Sequence, residues 1–348
     1  MALLKQEAVM DSLIDRLPER AAKPARGKAA CPSAQELPQA KVSCVGVVGL
    51  GRMGEAFAGN LLSAGYRIVA YDRDRRRAQP LQVEGATSAQ HLEDLATCDL
   101  VITALPDDAA LETVALGSNG QPRGLVHILP PGAVHVAMGT ISPELSRRLE
   151  KAHAAHGQGF VAAPVLGNPD LARAQLLFVL AGGAKQAVAR VQPVLERLGQ
   201  RVFVIGDDPG QANLVKLAGN VLTAATLQSM GEVFALLRKG GIDPHLAFDV
   251  LTGSLFDGRV HKAYGGKIVD GRYDPPGMTA PLAVKDLRLA LAEAETLAVP
   301  MSVASVVHDR LVATVARGWS GLDWSALGLL AAADAGLGDA APASPRTA

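Results

Sequence analysis

Near the middle of this chain a single lysine interrupts an apolar stretch. Lys216 is the only charged side chain between Asp208 and Glu232, set among Leu214, Val215, Leu217, Ala218, Val221 and Leu222, and Asn220 follows four residues on. At helical spacing Lys216 and Asn220 share one face. A lysine on a solvated face keeps company with other charges. One withheld from water is disfavoured as an ammonium, so its pKa falls toward the working range and it can give and take protons. The competing reading is a structural or snorkelling lysine at a domain junction.

A second constellation is Gly49-Leu50-Gly51-Arg52-Met53-Gly54, a GxGxxG pattern that on its own is a weak signal. Its context strengthens it. Val45, Val47 and Val48 read as a strand before it, 55–64 as a helix after it, Gly65 as the stop, and 67–71 as a second strand ending at Asp72. In such a unit Gly49 permits the tight turn, Gly51 lets backbone approach a pyrophosphate, and Gly54 lets helix and strand pack closely. The helix start offers free N–H groups to the phosphates, and Asp72 stands where an acid grips ribose hydroxyls. Arg73 could stack on adenine or pair with a 2′-phosphate, a group that Asp72 repels, so NAD and NADP both stay open. Asp74 to Arg77 reads as a solvated helix start.

Further strands are expected at 99–105, 133–138, 160–165, 176–181 and 201–205, with helical segments between them. This is α/β alternation of the doubly wound, mostly parallel Rossmann type. Ligands of such sheets bind at the carboxyl ends of the strands, which here are Leu105-Pro106 and Gly139-Thr140. From 210 to 239 the pattern turns helical, with apolar residues all round the axis, and helices at 281–297, 302–317 and 323–333 complete an all-helical second part. The expected organisation is an extension over 1–41, a nucleotide-binding domain over 42–205, a helical substrate and dimerisation domain over 206–338, and a disordered tail over 339–348.

Composition narrows the classes. The chain has 348 residues, 49% hydrophobic and 20% charged, with a formal net charge of zero, so neither nucleic acid nor an anionic membrane is indicated as a partner. Cys31, Cys44 and Cys98 have no paired spacing, which argues against a disulfide framework or a zinc site and fits a reducing, cytoplasmic setting. No apolar run approaches the roughly 20 residues of a membrane span. The extension carries an amphipathic piece at 3–17 whose acids, Glu7, Asp11 and Asp15, argue against a transit peptide. His153 and His156 read as solvated, and His261 and Tyr264 as part of a surface loop.

Four motifs in order, GxGxxG at 49–54, Thr140-Ile141-Ser142-Pro143, Lys216 with Asn220 after Gly210, and Lys285-Asp286-Leu287, make the chain over about 43–335 resemble the β-hydroxyacid dehydrogenase family. That family includes 3-hydroxyisobutyrate dehydrogenases and glyoxylate and succinic semialdehyde reductases. The resemblance implies an NAD(P)-dependent oxidoreductase acting on a small hydroxyacid or semialdehyde. It implies Lys216 as general acid/base, Asn220 orienting it and the substrate, Lys285 reaching over the cofactor, and Thr140 beside both ligands. A substrate loop matches at Ala163-Pro164-Val165-Leu166-Gly167-Asn168, but the usual serine hydroxyl is replaced by Leu166, leaving the Leu166 and Gly167 backbone to hold the substrate. Gly219 replaces a polar residue and Met278 an aromatic, which suggests a wider or more apolar pocket. Alternatives are an imine reductase, a related type that generally lacks the lysine, and a dinucleotide-binding module without catalysis. The apolar helix implies a homodimer or homotetramer.

Overall fold

The computed structural model describes residues 42–118 and 123–337, so the extension and the tail expected at the two ends lie outside the described residues. Within them β1 (Cys44–Val48), β2 (Arg67–Tyr71), β3 (Thr87–Ser88), β4 (Leu100–Thr103), β5 (Val134–Ala137) and β6 (Gly159–Ala162) form a parallel sheet in the order 3-2-1-4-5-6. Every residue of β1, β4, β5 and β6 is buried, as a sheet covered on both faces requires. The direction of winding reverses between β1 and β4, which opens a crevice at their carboxyl ends.

Beyond β6 the sheet becomes mixed. β8 (Leu177–Gly182) runs antiparallel to β6 and to the two-residue β7 (Val165–Leu166), and β9 (Gly199–Gly206) is parallel to β8. The single strand expected at 160–165 is therefore two, parted at Ala163-Pro164. Pro164 brings no N–H to a ladder, and its carbonyl accepts from Leu180 N at 2.9 Å.

Among the described residues the helices of eight or more residues are α1 (Arg52–Ser63), α2 (Asp108–Leu116), α3 (Pro143–Ala154), α4 (Lys185–Leu195), α5 (Pro209–Lys239), α6 (Pro244–Thr252), α7 (Arg259–Val269), α8 (Ala280–Thr296), α9 (Ser302–Ala316) and α10 (Leu327–Asp334). α5 is 31 residues long, about 46 Å at the helical rise. Its start is set by Asp208, which caps Gly210 N, and by Pro209 at the first turn; Arg238 and Lys239 complement its last turn. It crosses from the sheet, against α3, β6 and β8, into the helical half, against α8, α9 and α10. One face of α5 stays open, with Leu222 and Leu236 each 70% exposed. Arg147 on α3 ties the halves together, its Nε 3.0 Å from Asp208 and its Nη1 3.7 Å from Glu293 on α8.

Two readings of single residues change. His261 and Tyr264 lie within α7 rather than a loop, and Tyr264 packs edge-on against Trp324, its hydroxyl pushed up to about 12 by burial. His153 is fully buried while His156 is exposed, because His153 closes a hydrogen-bonded chain that its own helix does not reveal. Gln158 Nε2 donates to the carbonyls of Val126 and Leu129, so its Oε1 must accept from His153 Nδ1, at 2.6 Å. His153 Nε2 is then an acceptor for His135 Nδ1 at 2.8 Å, and His135 Nε2 an acceptor for the Thr103 hydroxyl at 3.0 Å. All four side chains are satisfied with both imidazoles neutral. The chain joins β4, β5 and α3 just behind the crevice.

Burial pushes His135 well below its ordinary value and His153 down to about 4. The unfolded chain takes up these protons as pH falls through about 6.5 while the folded chain refuses them, so stability is full above that pH and is lost below it. Urea unfolding at pH 7.5 and pH 5 should differ by about 2 kcal/mol for each histidine. His153→Leu should shrink that difference while lowering stability at pH 7.5 by about 2 kcal/mol, through the unpaired groups it leaves on His135 and Gln158.

Candidate functional site

The crevice begins with the glycine turn. Gly49 has φ +87, and a Cβ there would stand 2.6 Å from Ala104 O; a Cβ on Gly54 would fall 1.8 Å from Gly49 O. Both positions therefore require glycine. Gly51 is different: among the described residues only Arg77 Nη1, at 3.8 Å, lies near its Cβ direction. Gly51 also begins α1 without a capping side chain, so the N–H groups at the start of that helix face an open cradle. Uncapped N–H groups over an open glycine fit a pyrophosphate.

Asp72 is buried at the end of β2, where its carboxylate accepts from Leu50 N at 2.7 Å and Asp74 N at 2.9 Å. It thus fastens the turn to β2, with two lone pairs left for ribose hydroxyls. Arg73 is exposed. The guanidinium that approaches this corner is Arg77, 3.8 Å from Asp72, because the 3-10 turn Arg75–Ala78 carries it back over the strand end. Sequence reasoning assigned Arg77 to a solvated run, and turn direction within such a run leaves no periodic signal.

The opposite wall comes from β4 and β5. Gly139 lets the two strand ends close up, since a Cβ there would be 2.5 Å from Leu105 O, and Leu105 itself reaches Gly49. In the motif at 140–143, Ser142 caps α3 through Leu145 N and Pro143 starts the helix, so these two are structural. Thr140 has another partner: its carbonyl accepts from Lys285 Nζ at 2.5 Å, and the carbonyl of Pro106 accepts from the same ammonium at 2.9 Å. Lys285, from α8, is thereby fixed across the crevice. Arg52 makes the parallel link from α1, its guanidinium donating to the carbonyl of Pro276.

Lys216 lies at the centre, 8% exposed. Its ammonium donates to Asn220 Oδ1 at 3.0 Å, and Asn220 Nδ2 donates to Asp286 Oδ2 at 2.5 Å. An ammonium only donates and a carboxylate only accepts, so this order fixes the orientation of the amide. Asp286 Oδ1 in turn forms an ion pair with Lys285 at 2.9 Å. Burial lowers the Lys216 pKa from 10.5 to about 8, with Asp286 pulling it up and Lys285 pushing it down. Asp286 is the functional residue the sequence reading passed over. It was legible only as the neighbour of Lys285, because its partner Asn220 is 66 residues away in the chain.

Leu166 sits beside this centre. Pro164 O takes a ladder bond from Leu180, so the alternation of antiparallel pairing puts Leu166, opposite Phe178, at a bonded position, and its N–H is engaged. Of the two N–H groups expected to face the substrate, that of Gly167 alone stays outside the ladder. The Leu166 side chain turns to the α3 and α5 side of the sheet. Met278 packs on the core of the helical half.

Comparisons with known proteins identify the family. Residues 44–206 match the family described as the NAD binding domain of 6-phosphogluconate dehydrogenase, and residues 210–330 the one described as NAD-binding of NADP-dependent 3-hydroxyisobutyrate dehydrogenase. The chain is 34% identical over 284 residues to the uncharacterised oxidoreductase YfjR of Bacillus subtilis, covering 81% of this chain and 98% of that protein. It is 31% identical over 301 residues to the 3-hydroxyisobutyrate dehydrogenase of Pseudomonas aeruginosa, covering 81% and 96%. A crystal structure of 3-hydroxyisobutyrate dehydrogenase from Salmonella typhimurium superposes with a TM-score of 0.74 at 27% identity, covering 83% of this chain and 99% of that one. With relatives matched along nearly their whole length, this chain belongs to the β-hydroxyacid dehydrogenase family of NAD(P)-dependent oxidoreductases.

Proposed function

We propose that this protein interconverts a small hydroxyacid and its semialdehyde or keto form, with Lys216 as the general acid and base. The observation that carries the reading is a buried lysine with its pKa brought down to about 8, held by Asn220 at the meeting of the two halves. The bound nicotinamide supplies or accepts the hydride. Gly49, Leu50, Gly51, Arg52, Met53 and Gly54 hold its pyrophosphate, Asp72 and Arg73 with Arg77 its adenosine end, and Leu105, Pro106, Thr140 and Lys285 the side toward the reactive ring.

In the reducing direction the carbonyl oxygen gains negative charge as its carbon becomes tetrahedral, and the Lys216 ammonium passes it a proton. In the oxidising direction the neutral amine removes that proton from the hydroxyl. Asn220 keeps the Lys216 nitrogen in place through both states, and its second amide N–H together with Gly167 N–H positions the substrate. Lys216 favours oxygen over imine chemistry, because the imine reductases this chain resembles generally lack that lysine. Residues 42–205 serve as the nucleotide-binding domain and 206–338 as the substrate domain.

For reduction, activity should be highest while Lys216 is protonated and fall as pH rises through about 8; for oxidation it should rise over the same window. Removing the negative charge in Asp286→Asn should move both limbs to lower pH. Lys216→Met should lower kcat on the order of 10²-fold or more with cofactor binding intact. Unchanged turnover in that variant would leave only a dinucleotide-binding module.

Titration with NADH and NADPH tests the adenosine corner. Arg77→Ala should weaken NADPH about tenfold, the loss of one charged phosphate contact, and leave NADH nearly unchanged. Asp72→Ala, which unfastens the turn at Leu50, should weaken both.

We also propose a homodimer or homotetramer built on the open face of α5. There Leu222, Met230, Val233 and Phe234 border a groove of about 450 Å³ with Phe256, and Leu222 and Leu236 are each 70% exposed. Light scattering should give a multiple of the chain mass, and Leu222→Glu with Leu236→Glu should reduce it to the monomer. The free thiols Cys44 and Cys98, with sulfurs 3.6 Å apart, fit a cytoplasmic setting. No helix among the described residues is long and apolar enough to cross a membrane.

A further inference from the structure

The side chain of Leu166 stands directly over the turn of α5 that carries Lys216 and Asn220. A Cβ built on Gly219 would meet Leu166 Cδ2 at 3.0 Å and, among the described residues, no other heavy atom within 4 Å apart from its chain neighbours and the backbone of its own helix. Gly219 is half-buried, three residues after Lys216 and one before Asn220. The wall beside the proton donor is therefore an isobutyl group lying on bare helix backbone. With the Leu166 N–H engaged in the ladder, this residue offers the site its apolar side chain and no hydrogen bond.

Charge points the same way. Lys285 is bound by the Pro106 and Thr140 carbonyls and by Asp286, Arg147 by Asp208 and Glu293, and Arg52 by the Pro276 carbonyl. These three cations already have partners, and the guanidinium of Arg259, exposed on α7, lies over the ring of Phe178, opposite Leu166, at 5.5 Å. A carboxylate placed against the Leu166 isobutyl group itself would give up water for an apolar surface, a costly desolvation. An alkyl group in the same place would bury apolar surface at a gain of about 0.8 kcal/mol per methylene.

We propose that Leu166, seated on Gly219, is the specificity-determining residue of this site and selects carbonyl substrates that present a branched alkyl group, rather than a carboxylate, to the Leu166 wall. This rests on the proposed carbonyl chemistry at Lys216 and departs from the hydroxyacid reading in one respect: the group that meets the Leu166 wall is alkyl and not a carboxylate. Leu166 carries no group that exchanges a proton, so it sets which molecule binds and leaves the proton step to Lys216.

The test uses two aldehydes of equal size and shape, 4-methylpentanal and succinic semialdehyde, which differ only in carrying an isopropyl or a carboxylate end. The ratio of their kcat/KM values should favour 4-methylpentanal about tenfold or more in the wild-type protein. Leu166→Ser should shift that ratio toward the acid by about tenfold or more, with NADPH binding, followed by its fluorescence, showing that the variant is folded. Gly219→Ser, which adds a hydroxyl from the helix side and displaces Leu166, should shift the ratio in the same direction. A wild-type preference for the acid, or a ratio unmoved in both folded variants, overturns the proposal while leaving carbonyl reduction intact. Reduction of neither aldehyde, nor of any small keto acid, by protein that binds NADPH would instead remove the carbonyl reading itself, and this inference with it.

Discussion

The site turns on one ammonium taken out of water and the carboxylate that keeps it company at one remove. Burial alone would drive the Lys216 proton off, and direct contact with Asp286 would hold it too firmly for transfer. The Asn220 amide between them settles the balance: it relays the attraction of Asp286 through two hydrogen bonds and lengthens the charge separation. The pKa of about 8 is set first by burial, with Asp286 raising it and Lys285 lowering it, and α5 and α8 must keep their relative position for it to persist.

That requirement explains features that would otherwise look unrelated. α5 is long because it must reach from the sheet, where its first turns pack on α3 and β8, to the helical half that supplies Asp286. Arg147 secures its first turn to α3 and α8 together. Behind the crevice, the Thr103, His135, His153 and Gln158 chain fixes the strands whose ends carry Leu105 and Thr140. A fully satisfied buried network of this kind gives strands one register in preference to others.

Much of this was legible in the sequence where one residue type has a single physical excuse. Gly49 and Gly54 are fixed by backbone contacts that admit no side chain, and Lys216 stood out because nothing around it was charged. The doubly wound order followed from strand and helix alternation. What stayed hidden depends on pairing across distance. Asp286 meets Asn220 only after α8 folds against α5, His153 meets a strand residue 18 positions upstream, and Arg77 is distinguished from its neighbours by the direction of a short turn. Pro164 marked the break between β6 and β7, yet a strand with a proline near its end reads the same as two.

Lys285 and Asp286 are consecutive in α8, and they face different tasks: one grips carbonyls at the ends of β4 and β5, the other faces Asn220. This makes the pair an interlock. Any swing that parts the sheet from α8 must release Lys285 from Pro106 and Thr140, and the same opening admits solvent to Lys216, restoring the proton affinity of an ordinary amine. Acid strength and enclosure are thus one mechanical variable: the Lys216 ammonium is the stronger acid only while the two halves are shut.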